Sequence, residues 1–186
     1  MRLLLGITGA TGVYAAKLLM ERSPWPVALV ASDWGKDVCG SEGCPYDELE
    51  ALADVVYDNR ALTAPVSSGS VPTAGMVILP CTTNALGRIA SGLADTLITR
   101  AAHGHLKERR TLVLCVRETP WSLIDIENAK RVAAAGAIVM PLSPPFYMAG
   151  KRSAGSVTMA DLLGWYVDRV LAALGHAAQQ TWEHVS

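Results

Sequence analysis

Short unbroken apolar runs alternate along this chain with longer stretches in which apolar residues recur at helical spacing. RLLLGI (2–7), VALVAS (27–32), MVILPC (76–81), TLVLCV (111–116) and AIVM (137–140) read as strands. Runs without polar alternation belong to strands buried on both faces, and strand–helix alternation makes their sheet parallel. The helical pattern predicts Thr11 to Arg22 with Ala15, Leu18 and Leu19 inward, then DELEALAD (47–54), Leu86–Ile89 and Leu97–Leu106. SLIDIENAKRVAAAG (122–136) and Met159 to Leu174 complete the helices. The expected architecture is one doubly wound α/β domain over residues 1–186, without internal repeat or linker. A tail from about 175 to 186, carrying Trp182, is expected to dock on a neighbouring subunit.

In such a sheet ligands bind at the carboxyl ends of the strands, where the strand order reverses. The first of these ends is GITGATG (6–12), a G-x-x-G-x-x-G loop with Thr8 and Thr11 opening a helix. Glycines let a backbone approach a ligand closely, and helix N–H groups there point at anions. The same glycines also suit a tight strand–helix turn. A dinucleotide fingerprint needs G-x-G-x-x-G and an acid near the end of strand two. Asp33 stands there, after Ser32, but the glycine spacing differs, so a mononucleotide, a dinucleotide or a plain turn remain open.

PCTTN places Thr82, Thr83 and Asn84 at a second polar helix start, followed by Ala85; these residues either cap the helix or hold a ligand. Arg117 and Glu118 close a fully apolar strand, and a charge in that place needs a partner or a ligand. Arg100 and Lys107 add cations, whereas Arg109 and Arg110 suit a helix C-terminus. Prolines in PPFY hold Tyr147 in a defined place. Arg169 alone reads as surface charge.

Hydrophobic residues make up 51% of the 186 and charged ones 18%, with a net charge of −1. That balance gives no general attraction to nucleic acid or a membrane surface, so anion binding must come from locally placed cations. The apolar excess fits a buried sheet or a large subunit interface. No apolar run approaches the roughly 20 residues of a membrane span, and Leu3–Leu5 is too short for a signal peptide. The four cysteines fit no zinc spacing and read as reduced thiols of a cytoplasmic protein. His103 and His105 are the one close histidine pair, and no Asp-rich magnesium motif occurs, so no metal is expected.

With these residues assembled, the chain resembles the UbiX-type flavin prenyltransferases. GITGATG, Ser32, Glu42, SSGS (67–70), GMVILPC, LKERR, LVLCVRETP, IENAKRVAAAGAIVMP and PFY carry the likeness in order from residue 2 to about 174. The resemblance implies a flavodoxin-like Rossmann fold that binds FMN at the interfaces of a homo-oligomer, a dodecamer in the family. It implies transfer of a dimethylallyl group from dimethylallyl phosphate to N5 and C6 of reduced FMN, the product serving a UbiD-type decarboxylase. By position, Gly9, Ala10, Thr11, Ser32, Thr82, Thr83, Asn84, Ala85 and Arg117 would hold FMN. Ser68, Arg100, Lys107, Glu118, Tyr147 and Arg169 would surround the prenyl phosphate. Glu42 would lie near the reacting ring, and Trp182 would match the family's tail tryptophan.

The chain departs from the family at Asp33, usually basic, and at His103-Gly104, usually alanine–aspartate. Its 148–156 segment is longer, and the stretch after Gly12 is one residue short. Two other readings stand beside the enzyme: a non-catalytic FMN-binding or carrier protein, and an FMN-dependent cysteine decarboxylase. The catalytic residues argue against the first, and PCTTN in place of P-x-M-N against the second.

Overall fold

A computed structural model describes residues 1–177; Trp182 and most of the expected tail lie outside these. The strands are β1 (Leu3–Ile7), β2 (Val27–Ala31), β3 (Val55–Asp58), β4 (Gly75–Cys81), β5 (Leu112–Val116) and β6 (Ile138–Val139). The helices are α1 (Val13–Arg22), α2 (Asp33–Ser41), α3 (Tyr46–Leu52), α4 (Thr83–Ala90), α5 (Leu97–Lys107), α6 (Leu123–Ala134) and α7 (Met159–Ala173). All strand pairs are parallel, in the order β3-β2-β1-β4-β5-β6. Without the edge strand β3, this is the flavodoxin order, with the reversal between β1 and β4.

Successive strand residues point to opposite faces, which divides the core in two. Leu3, Leu5, Ile7, Leu29, Val77 and Leu79 pack against α1 and α7. Leu4, Val30, Met76, Ile78, Leu112 and Leu114 pack against α4, α5 and Val132 of α6. β1, β2, β4 and β5 are buried along their whole length, as unbroken apolar runs require.

Two elements had no clear sequence signal. The four residues of β3 alternate half-buried and exposed at the sheet edge. Helix α2, DWGKDVCGS, contains two glycines and buries only Gly35 and Cys39, so tertiary placement overrides its weak propensity. Gly35 fits because a Cβ there would lie 2.7 Å from the Ile7 carbonyl oxygen.

The order reversal is stitched by Thr8, whose hydroxyl donates to the Pro80 carbonyl at 2.9 Å and accepts from the Thr82 amide at 2.8 Å. Thr8 is buried, and its own amide also reaches Pro80 O at 3.1 Å. These bonds hold the ends of β1 and β4 together and fix the floor of the crevice between them.

Candidate functional site

At the carboxyl end of the sheet a cleft of about 510 Å³ runs from the reversal point to the β3 edge. Three helices begin on it. Ser32 caps α2 by accepting from Gly35 N at 3.0 Å, and Thr82 caps α4 by accepting from Ala85 N at 3.0 Å. Thr96 and Thr99 form a reciprocal capping box at the start of α5. Each capping oxygen satisfies a helix donor, as Ser and Thr do at such positions. The hydroxyl hydrogens of Ser32 and Thr82 have no acceptor among the described residues, so both remain available to a ligand. Gly9 and Ser32 line the cleft with Thr82, Asn84 and Ala85.

Gly9 is required by packing. A Cβ there would come within 2.5 Å of Trp34 Cβ, so the loop and the first turn of α2 press together. Trp34 itself is 75% exposed and lines the cleft. The sequence reading missed it, although an apolar ring two residues after a strand-end serine was a usable signal. Asn59 and Arg60 were missed for another reason: β3, which delivers them, was not foreseen.

The opening glycine loop holds no free helix terminus. Both Glu42 carboxylate oxygens accept from Gly12 N, at 3.0 and 2.9 Å, and Glu42 Oε2 takes Val13 N at 2.7 Å. Glu42 therefore occupies the anion position at the start of α1. Gly12 sits at φ 105°, in the left-handed region, with Leu142 beside its α-carbon. Ala10 is buried and Thr11 exposed in the same loop, and Thr83 follows its cap as the first residue of α4.

Arg117 follows β5 on the same edge, tied by its amide to Cys81 O at 3.0 Å. Its Nε is buried and without a hydrogen-bond partner among the described residues. The nearest acid contact is Glu118 Oε1, 4.0 Å from Nη1, and Glu118 also accepts from Thr119 N at 3.1 Å. A buried N–H left unpaired is costly, and points to an acceptor from beyond the described residues. Tyr147 lies on a short 3-10 turn, Phe146–Ala149, and is 44% exposed. Leu142, before it, is anchored to Val116 O at 2.8 Å.

The chain does not bring Ser68, Lys107 or Arg169 to this edge. Helix α5 starts at the cleft, where Leu97 N meets Asn59 O at 2.7 Å, and runs about 16 Å away from it. Lys107 at its far end leads into the start of β5, paired with Glu108. Ser68 belongs to a loop at that same far edge: Gly69 lies against the Lys107 side chain, and Arg110 donates to the Gly69 and Val71 carbonyls. Ser68 itself bonds Ser70 at 2.9 Å. Arg100 is exposed one turn into α5. Arg169 is exposed beside Asp168, which pairs with Arg22 at the far end of α1 at 2.9 Å. Ser68, Lys107 and Arg169 thus sit towards the amino ends of the strands, away from Arg117.

The histidines and cysteines have structural explanations or none. His105 is buried, with Nδ1 at 2.8 Å from Ala101 O and Nε2 at 2.7 Å from Thr73 Oγ1. These partners assign the proton to Nδ1, and burial holds its pKa below the usual histidine value. His103 Nε2 is buried without a partner among the described residues. All four cysteines are buried and unpaired. Burial pushes the Cys115 thiol up to about 12 and raises Cys81 as well, so neither supplies a thiolate. Among the described residues no group of three or more side chains could hold a metal, and no helix is long and apolar enough to cross a membrane.

Comparison with known proteins shows the family and the fold. The flavoprotein family model matches residues 1–170. The flavin prenyltransferase UbiX of Deinococcus radiodurans is 44% identical over 178 residues, covering 94% of this chain and 88% of its own. That of Escherichia coli K12 is 41% identical over 175 residues, covering 91% and 89%. Among solved structures, AnUbiX in complex with FMN and dimethylallyl pyrophosphate superposes with a TM-score of 0.90 at 36% identity, over 97% of this chain and 96% of that one. The dodecameric FMN-dependent UbiX-like decarboxylase of E. coli O157:H7 gives 0.88 at 35% identity, over 97% and 98%.

Proposed function

The chain belongs to the flavoprotein family and, within it, to the UbiX-type flavin prenyltransferases, and on that premise we propose that it moves a dimethylallyl group from dimethylallyl phosphate to reduced FMN. The observation that carries this reading is the buried Nε of Arg117 at the end of β5, unpartnered among the described residues. A flavin has carbonyl and ring-nitrogen acceptors that match such a donor. The cleft volume also lies within the roughly 300–1,000 Å³ of small-molecule sites. FMN therefore fits the residues present.

Reduced FMN, when bound, supplies two nucleophilic positions, N5 and C6. The chain's part is to hold, orient and enclose. Arg117 fixes the flavin, Gly9 and Ala10 let it approach the backbone, and the hydroxyls of Ser32 and Thr82 donate to it. Thr11, Thr83, Asn84 and Ala85 complete that binding edge. With both reactants bound, the allylic C–O bond would break and release phosphate as N5 bonds the prenyl C1; the prenyl C=C would then be consumed, C3 bonding C6 and C2 taking one proton. The N5 and C6 protons would leave, one of them with the phosphate, for a net gain of one C5H8 unit. Developing charge on the phosphate is stabilised by placed cations, here Arg100, Lys107 and Arg169 with Ser68 and Tyr147. Glu118, beside Arg117, faces the same chemistry. Glu42 already accepts from the start of α1 with both oxygens, so the departing phosphate is the better acceptor for the C6 proton.

Ser68, Lys107 and Arg169 cannot reach Arg117 of their own chain. We therefore read the site as shared, with neighbouring copies of a homo-oligomer, a dodecamer as in the E. coli relative, supplying the phosphate side. Trp182 would close over it from the tail. The prenylated flavin would pass to a UbiD-type decarboxylase, and the enzyme would act in the cytoplasm.

The test is anaerobic incubation of the protein with reduced FMN and dimethylallyl phosphate, or the pyrophosphate in parallel, followed by mass spectrometry of the released flavin. A flavin heavier by one C5H8 unit from the monophosphate is expected. Unmodified FMN from folded, FMN-loaded protein with both donors would refute the assignment.

A further inference from the structure

The cleft's outer end, at the β3 edge, is built around one arginine. Arg60 lines it and pairs with Asp33, the first residue of α2, at 2.6 Å. Its backbone is fixed from both sides. Arg60 N donates to Asp58 Oδ1 at 2.8 Å, and the preceding Asn59 receives Leu97 N on its carbonyl and Ile98 N on its side chain, at 2.7 and 3.1 Å. Asn59 thereby ties the turn to the start of α5, and Arg60 is held over the cleft. The Arg60 and Asp33 side chains are 80% and 72% exposed, so their pairing does little for the stability of the fold.

Around this arginine the cleft offers hydroxyl donors from Ser32 and Thr82, and the second lining cation, Arg88, is already paired with Asp95. The start of α1, which also opens on this edge, is filled by Glu42. Resting on the FMN reading above, we propose that Arg60 is a binding residue for the FMN 5′-phosphate, with Asp33 as its positioning residue. The flavin then lies along the strand ends, its ring at Arg117 on β5 and its phosphate at the β2–β3 end. Asp33 lines the same cleft, and a bare carboxylate there would repel the phosphate. Arg60 cancels that charge and supplies a cation at the β3 edge. Loss of Arg60 therefore has two effects: it removes a donor and unmasks an anion.

The experiment measures dissociation constants of FMN and riboflavin for the folded protein and its variants, using flavin fluorescence. Wild type should prefer FMN over riboflavin. Arg60→Ala should weaken FMN by about tenfold to a hundredfold, the value of one charge-assisted hydrogen bond, and leave riboflavin unchanged. Adding Asp33→Asn to Arg60→Ala should recover part of the lost FMN affinity, an effect that a merely structural role would not give. Unchanged FMN affinity in Arg60→Ala, or equal weakening of FMN and riboflavin, overturns the proposal while leaving the flavin reading intact. A wild-type protein that binds neither flavin overturns both.

Discussion

Glu42 and Gly12 meet through both oxygens of one carboxylate, at 3.0 and 2.9 Å from the Gly12 amide. With Val13 N at 2.7 Å on the same group, Glu42 satisfies donors that every helix start leaves open. Glu42→Ala should therefore cost about 1 kcal/mol of stability, as loss of a capping side chain does. Urea denaturation of the flavin-free protein reads this directly. An unchanged midpoint would deny Glu42 this structural role.

Arg117 should show opposite signs in stability and in binding. Replacing it by methionine removes a buried N–H that has no partner, and such a group costs about 1–3 kcal/mol when unsatisfied. Flavin-free Arg117→Met should be no less stable than wild type by urea midpoint. Its FMN affinity should fall by about tenfold or more. Parallel loss of stability and affinity would show that Arg117 serves the fold.

His105 gives the protein an acid-sensitive core. Its pKa is held down by burial, so below the ordinary value of 6.5 the unfolded chain binds a proton that the native imidazole refuses. Stability from this group is present above pH 6.5 and is lost as pH falls through the native value. The urea midpoint should be flat near pH 7.5 and decline below 6.5. His105→Gln should make the decline shallower. His103, also shifted down by burial and by Arg100, keeps some slope in that variant. A slope unaltered by His105→Gln assigns the acid sensitivity elsewhere.

Sharing of the site between copies can be tested by mixing inactive variants. Lys107→Ala and Arg117→Ala should each lose transfer alone. When the two are unfolded together and refolded, some interfaces pair an intact Lys107 with an intact Arg117, and part of the activity should return. No recovery from well-formed mixed oligomers would place both residues in one chain's site. Lys107→Ala alone should still bind FMN.

Much of this molecule was legible in its sequence because its central strands are buried on both faces. Runs such as LLLGI and MVILPC have no polar member, so their period and their parallel pairing follow from composition alone. β3 escaped because an edge strand of four residues buries little, and with it went Asn59 and Arg60. The polar strand ends were legible because Ser32, Thr82 and Arg117 all follow strands directly. The separation of Lys107 from Arg117 was also implicit, since the end of a helix that precedes a parallel strand must lie at that strand's start. Glu42 is different. It reaches Gly12 across 30 positions of sequence, and no local pattern announces such a contact.

The two separated edges have a consequence for how copies can fit together. If each complete site takes Arg117 from one chain and Lys107 from the next, every contact joins unlike surfaces, head to tail. A linear row built this way always leaves one half-site unused at each end. A closed ring leaves none, and it holds as many complete sites as chains. Closure would then be a condition for full occupancy of the catalytic machinery, and an interface substitution far from the flavin could inactivate a chain that folds and loads correctly.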